Sequence, residues 1–319
     1  MKVFVTGGTG LVGSNIVKVA REKYGAEVVA SIYRRMPEAP IHYEIEHLDV
    51  TDDTAVKAAL NKHRPDLVIH AAASVDHEEL EENHELGWRL MVDAVRSIAE
   101  VCGDIGAKMI MVSSDWVFDG IDIPFKEDTP PSPVCYYGLL KVVGETIVNS
   151  IGIDYGIARI AAVYGRNWAF PDWVPAERVT GFGTLPNWYV EALGRGEEIV
   201  EWTKYINIEA NPTLASDCAD AMMAIWDRKV QGVFHCCGRD YMNRVELARH
   251  VAKAFDFDTS RIRAATEEEM DPGLEKYPLP PRSCLDVAQT ERILQRTNLG
   301  IEESLEVWKR ERTDTGRNR

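Results

Sequence analysis

The chain has 319 residues, of which 45% are hydrophobic and 27% charged, a composition suited to a globular protein that can bury a sizeable core. A formal net charge of −15 argues against nucleic-acid or anionic-membrane binding, since both need a basic face. Six cysteines (Cys102, Cys135, Cys218, Cys236, Cys237 and Cys284) show no C-x-x-C spacing, so a redox or metal motif is not indicated and a reduced cytoplasmic setting is expected.

The first half alternates short apolar runs with helical patterns. KVFVT at the start reads as a strand, and residues 11–24 as a helix. EVVASIY is a second strand, HYEIEHLDV a third, and residues 54–63 form a short helix. Then follow DLVIHAAA (strand), residues 85–102 (helix), KMIMVSS (strand), residues 137–150 (helix) and DYGIARIAAVYG (strand). That rhythm implies an α/β fold of the Rossmann type, a doubly wound parallel sheet with helices on both faces. From Arg166 the rhythm breaks into a Trp-, Pro- and Gly-rich stretch suited to a binding loop. Helices resume at 188–194 and 215–226, GVFHCCG reads as a late strand, and 243–255 as a further helix. The basic end after Trp308 is expected to fray. No apolar run approaches the roughly 18 residues of a membrane span, and none of the chain resembles a leader.

These boundaries suggest a dinucleotide-binding domain over 1–165 and 214–240. A substrate-binding domain takes 166–213 and 241–285, leaving 286–319 as a C-terminal helix and flexible basic tail.

TGGTGLVG, residues 6–13, lies between the first strand and the first helix. Gly7 permits a tight turn, Gly10 lets backbone amides approach a pyrophosphate, and Gly13 allows close helix–strand packing. The helix N-terminus supplies N–H donors and its positive dipole end. An NTPase-type phosphate loop would want Lys after Gly13, where Ser14 stands. The second strand ends at Ser31-Ile32-Tyr33-Arg34-Arg35, with no carboxylate until Glu38. Two arginines there suit a 2′-phosphate, so NADP(H) is the expected cofactor.

TGGTGLVG, HLDV (47–50), HAAA (70–73), SSDWVFDG (113–120) and YGLLK (137–141) occur in an order that resembles the extended short-chain dehydrogenase/reductases. Within that superfamily, SSDWVFDG and the following P-x-x-x-Y-G-x-x-K arrangement are most similar to the dTDP-4-dehydrorhamnose reductase branch. The resemblance implies a catalytic triad of Ser114, Tyr137 and Lys141. It also implies cofactor contacts from Thr9, Leu11 and Val12, from Asp49 and Val50, and from Ala71, Ala72 and Ala73. The chemistry is sensible: a free tyrosine titrates near 10, and a lysine ammonium one helical turn away would lower that value. Tyr137 could then protonate a carbonyl oxygen that Ser114 also holds.

Asp115, Trp116, Asn167, Trp168 and Arg282 are further candidates to contact substrate. Trp168, Trp173 and Trp188 could form a wall for a sugar or nucleobase, or simply pack beneath a loop. Asp119 could close a turn with Gly120. The chain departs from the superfamily at Met91, where an Asn is usual, and from the branch at Ala162, where a Trp is usual. DHEELEENHE (76–85) holds six acids with His77 and His84, and reads as a solvated helix start with no metal site.

The expected activity is NADPH-dependent reduction of a ketone, the 4-keto group of a nucleotide-linked deoxysugar, by a homodimer. Three alternatives stay open: a non-sugar ketone as substrate, a nucleotide-sugar epimerase or dehydratase, and a non-catalytic NADP-binding regulatory subunit.

Overall fold

The computed structural model describes residues 1–38, 42–74, 76–172, 181–205, 208–270 and 276–314. In chain order, β1 (Lys2–Thr6) leads into α1 (Leu11–Glu22), followed by β2 (Glu27–Ile32) and β3 (Glu44–His47). Next come α2 (Asp53–His63), β4 (Leu67–His70), α3 (His77–Glu82) and α4 (His84–Trp88). A π-helical turn, Arg89–Asp93, joins α4 to α5 (Ala94–Ile105). β5 (Lys108–Ser114), α6 (Tyr136–Ser150) and β6 (Tyr155–Ile160) follow. The chain then makes β7 (Val163–Tyr164), α7 (Leu185–Gly194), β8 (Ile199–Glu201), β9 (Glu209–Ala210) and β10 (Thr213–Leu214). α8 (Ala215–Asp227) and β11 (Gly232–His235) precede β12 (Met242–Asn243), α9 (Arg244–Ala254), β13 (Ile262–Ala264) and β14 (Arg282–Ser283). α10 (Ala288–Leu294) and α11 (Ile301–Thr313) end the described chain.

The central sheet has seven strands in the order β11-β6-β5-β4-β1-β2-β3. Every pairing in it is parallel. Strand order reverses between β1 and β4, which opens a crevice at the carboxyl ends of those strands, the usual ligand position in such sheets. β1 is buried on both faces, and its Val3 and Val5 pack on α1 and α8 while Phe4 packs towards α2 and α5. This is the doubly wound architecture expected from the sequence.

A second core lies beyond the sheet. Tyr164, Leu185, Tyr189, Leu247 and Val251 pack with Ile301, Leu305 and Trp308 of α11. The last helix therefore belongs to this smaller core. It runs to Thr313, past the point where fraying was expected, because Arg312 pairs with Glu191 at 2.9 Å and Arg166 donates to the Glu311 carbonyl.

Other boundaries also shifted. The helix expected over 85–102 is instead α4, a π turn and α5, preceded by α3 in the acidic stretch. β4 stops at His70, leaving the three alanines as a loop. The long strand expected through VYG breaks after β6, where Ala162 takes a left-handed φ of 43°.

Candidate active site

The loop after β1 is shaped by contacts that leave no room for side chains. A Cβ on Gly13 would sit 2.1 Å from the Gly7 carbonyl oxygen, so only glycine lets α1 start this close to β1. Gly7 has φ +67° and lies against Ala72, 2.9 Å from where its own Cβ would be. Thr6 joins the two loops: its Oγ1 accepts from the amides of Ala71 and Ala72 at 3.1 Å and bonds His70 Nδ1 at 2.8 Å. α1 has no side-chain cap and no acid in its first turn. Its first amides, at Leu11, Val12 and Gly13, thus face an anion without competition. Thr9 is fixed through its carbonyl, which accepts from Asn167 Nδ2 at 3.1 Å. This cradle fits a dinucleotide pyrophosphate.

At the end of β2, Arg34 and Arg35 are both exposed. Arg34 lies over the Tyr33 ring at 5.0 Å, and Arg35 over Phe170 at 4.1 Å with Glu38 at 3.5 Å. Asp49, after β3, accepts from both the amide and the hydroxyl of Thr51. Burial would raise its pKa, but these bonds and one from Tyr33 hold the carboxyl below its ordinary value. Val50 beside it is buried, and Ala73 is exposed at the end of the alanine loop.

The triad assembles where β5 ends and α6 begins. Ser114 closes β5 and caps the short 3-10 turn Asp115–Val117, accepting from Trp116 N at 3.2 Å. Its hydroxyl donates to Asp115 Oδ1 at 2.8 Å and bonds the Tyr137 phenol. A Cβ on Gly138 would come within 2.1 Å of the Trp116 carbonyl oxygen, so this glycine allows α6 to reach the Ser114 turn. Cys135 caps α6, with Gly138 N donating to its sulfur. One turn along α6, Lys141 Nζ donates to the Val112 carbonyl at 2.9 Å and lies 5.6 Å from the Tyr137 ring centre.

The electrostatics differ from the expectation for an isolated Tyr–Lys pair. Burial pushes the Tyr137 phenol up rather than down, and its hydrogen bond with Ser114 only partly opposes it. Burial also pulls Lys141 down to about 8, against the opposing effect of Glu145. Desolvation acts on both groups and outweighs the attraction that sequence spacing alone suggests. Asp115 is pushed up to about 6 by burial, although hydrogen bonds from Ser283 and Ser114 pull it the other way. Glu145 is itself held by a buried pair, with Arg159 at 2.7 Å, and accepts from Ser113 at 2.6 Å.

The remaining candidates separate. Trp116 stays with the triad, edge-on to Tyr137 at 5.8 Å. Asn167 braces the glycine loop through Thr9 and also accepts from the amides of Ala169 and Phe170. Trp168 packs on α1: its Nε1 donates to Asn15, and its ring lies between Lys18 (4.1 Å) and Arg166 (4.8 Å). It is therefore engaged away from Tyr137. Arg282 donates to the carbonyls of Gly120 and Ile121, and Asp119 closes that turn by accepting from Ile121 N. Trp188 packs beside the smaller core, and Trp173 lies outside the described residues. Tyr136 donates to the His84 carbonyl, away from the triad.

One residue was not picked out by sequence reasoning. His77, at the start of α3, stacks beside Trp116 with centroids 4.3 Å apart and stands edge-on to Tyr137 at 5.0 Å. Its acidic neighbours made it look like part of a solvated helix, and no local signal marks its contact with α6. Met91 is buried in the π turn against Leu80 and Leu140, so an apolar side chain fills the place where the superfamily usually has Asn. Among the described residues, no group of three or more potential ligands could hold a metal. No helix among them is long and apolar enough to cross a membrane.

The model of the RmlD substrate-binding domain matches residues 1–172 and 199–308. The Haloferax volcanii protein named "Probable low-salt glycan biosynthesis reductase Agl14" is 30% identical over 96% of both chains. Methionine adenosyltransferase 2 subunit beta of Xenopus laevis is also 30% identical, over 95% of this chain and 87% of its own. Among solved structures, dTDP-4-dehydrorhamnose reductase of Bacillus anthracis, in complex with NADP, superposes with a TM-score of 0.77. It is 20% identical, with 97% and 99% of the two chains covered. By sequence and by fold, the chain belongs to the RmlD substrate-binding domain family of extended short-chain dehydrogenase/reductases.

Proposed function

We propose that the protein is an NADP(H)-dependent reductase that converts the 4-keto group of a nucleotide-linked deoxysugar to a hydroxyl. The observation that carries the reading is the convergence of Ser114, Tyr137 and Lys141 beside a glycine cradle at the sheet's switch point. A bound nicotinamide would supply the hydride. Tyr137 donates its phenolic proton to the carbonyl oxygen, and its raised pKa keeps that proton in place at neutral pH. Ser114 turns its hydroxyl towards the same oxygen and stabilises the negative charge that develops there. Lys141, when charged, offsets the phenolate that forms on Tyr137. To reach the substrate oxygen, the Ser114 hydroxyl leaves the bond it donates to Asp115. Arg34 and Arg35 favour a 2′-phosphate, consistent with the NADP complex of the Bacillus reductase. The reading includes a cytoplasmic homodimer, with exposed Trp88 and Leu139 near the expected α5–α6 contact.

The test is transfer of label. Incubation with 4-deuterated NADPH and dTDP-4-keto-6-deoxyglucose should place deuterium on C4 of the sugar, seen by mass spectrometry. Sugar that returns unlabelled and unreduced would remove the reading. A second reading draws on the subunit beta relative, a partner protein of another enzyme by its name. NADPH binding without turnover of any ketone would favour it.

A further inference from the structure

Phe170 is buried, with 7% of its surface exposed. Its ring nevertheless enters none of the apolar clusters formed by the described residues. What it meets is a charge: the Arg35 guanidinium carbon lies over the ring, 4.1 Å from its centre.

The ring is held in place by its neighbours along the chain, which cross α1 as a strap. Asn167 Nδ2 donates to the Thr9 carbonyl at 3.1 Å, and Asn167 Oδ1 accepts from the amides of Ala169 and Phe170. Trp168 donates from its amide to Ser14 Oγ at 3.2 Å and from Nε1 to Asn15 Oδ1 at 3.1 Å. Asn15 Nδ2 donates in turn to the Arg166 carbonyl at 2.9 Å. At the other end, the Ala169 carbonyl accepts from Glu38 N at 2.8 Å, which ties the strap to the chain that follows β2. Residues 166–170 thus join the pyrophosphate cradle at Thr9 to the arginines after β2, far away in sequence.

An exposed arginine pays side-chain entropy when it is fixed for binding. A ring beneath it fixes the plane of the guanidinium beforehand and leaves the edge, where the N–H donors lie, open to an anion. Glu38 takes part of that edge at 3.5 Å, but both side chains of this pair are more than half exposed, so a phosphate can replace it. The place is also the right one. The end of the second strand of a dinucleotide fold meets the 2′ position of the adenosine ribose, and no carboxylate stands over 31–35 to hold a bare hydroxyl there.

We propose that Phe170 is a positioning residue for cofactor choice, holding the Arg35 guanidinium by its flat face so that the N–H edge meets the 2′-phosphate of NADP(H). The inference rests on the NADP(H) part of the reductase reading and deepens it. It adds that cofactor choice is set in part by the strap leading out of β7, acting through Arg35, and not by the end of β2 alone.

The test measures binding of NADP+ and NAD+ by calorimetry, two ligands that differ only in the 2′-phosphate. Phe170→Leu keeps apolar bulk and removes the flat ring. It should raise Kd for NADP+ by at least about 3-fold and leave Kd for NAD+ within about 2-fold. Phe170→Trp keeps a ring under the guanidinium and should retain the wild-type preference. In an Arg35→Ala background, Phe170→Leu should have no further effect on NADP+, because the ring acts through that arginine. Equal weakening of both cofactors by Phe170→Leu would show a packing role only and overturn the inference. No change in either cofactor would overturn it, as would the same further loss in the Arg35→Ala background. A wild type that binds NADP+ no more tightly than NAD+ would overturn it too. Ketone turnover does not enter the readout, so the two readings fail separately. Turnover with NADPH but no effect of Phe170→Leu keeps the reductase and removes the role of Phe170. The expected cofactor pattern in a protein that reduces no ketosugar keeps that role and removes the reductase.

Discussion

Gly138 and Trp116 meet backbone to backbone: a methyl group at Gly138 would lie 2.1 Å from the Trp116 carbonyl oxygen. That contact sets the distance between the first turn of α6, which carries Tyr137, and the turn that presents Ser114. A carbonyl oxygen held by the backbone cannot move aside as the end of a flexible side chain can. Gly138→Ala should therefore push α6 outward, cost about 1–3 kcal/mol of stability, and lower kcat by at least about 100-fold. Thermal unfolding and NADPH oxidation check the two effects together. Wild-type activity in a stable Ala variant would mean that this spacing is not critical.

On the proposed mechanism, Lys141 sets the high-pH limit of the reaction. Its pKa is drawn down to about 8 by burial, whereas that of Tyr137 is raised, so the lysine loses its proton first as pH rises. That mechanism needs the charged lysine to offset the phenolate. Reductase activity should hold below about pH 8 and fall up to 10-fold per pH unit above it. Stability should run the other way. A base whose folded pKa lies below its unfolded value penalises the fold at every pH below the folded value, and the penalty is relieved as pH rises from about 8 towards 10.5. Lys141→Met should accordingly abolish most activity while raising Tm at pH 7; the shift implies up to about 3 kcal/mol. A pH–rate profile and a melting series at pH 7 and pH 10 measure both.

On the proposed reading, Arg34 and Arg35 select the cofactor through its 2′-phosphate. Both side chains are exposed at the end of β2, and the Phe170 ring supports Arg35 from below. Replacing both with Ala should raise KM for NADPH by about 10–100-fold and leave KM for NADH nearly unchanged. Equal losses for the two cofactors would place the arginines elsewhere in the site.

Local spacing made the glycine loop, the parallel sheet and the Ser114–Tyr137–Lys141 set legible in the sequence. Each depends on residues a few positions apart on one strand end or one helix turn. What spacing leaves out is direction and burial. Trp168 reads as a pocket wall from its Pro- and Gly-rich surroundings, but its ring turns onto α1 between Lys18 and Arg166. The Tyr137 phenol looks acidified by its lysine, yet enclosure by the fold dominates. His77 reaches Tyr137 only because Leu80 and Glu81 dock α3 on α6, a contact across some sixty residues of chain that no spacing rule reveals. The C-terminal helix is polar in composition, but Ile301, Leu305 and Trp308 tie it into the smaller core.

The central claim is that Tyr137 donates the proton in ketone reduction, and Tyr137→Phe tests it most directly. The substitution keeps the ring against His77 and Trp116 and removes only the hydroxyl. Wild type and variant are compared by the loss of reduced-nicotinamide absorbance with dTDP-4-keto-6-deoxyglucose, after calorimetry has shown equal NADPH binding. The expected result is turnover by the wild type and a loss of at least about 1,000-fold in the variant. Turnover by Tyr137→Phe within a few-fold of wild type would contradict the claim.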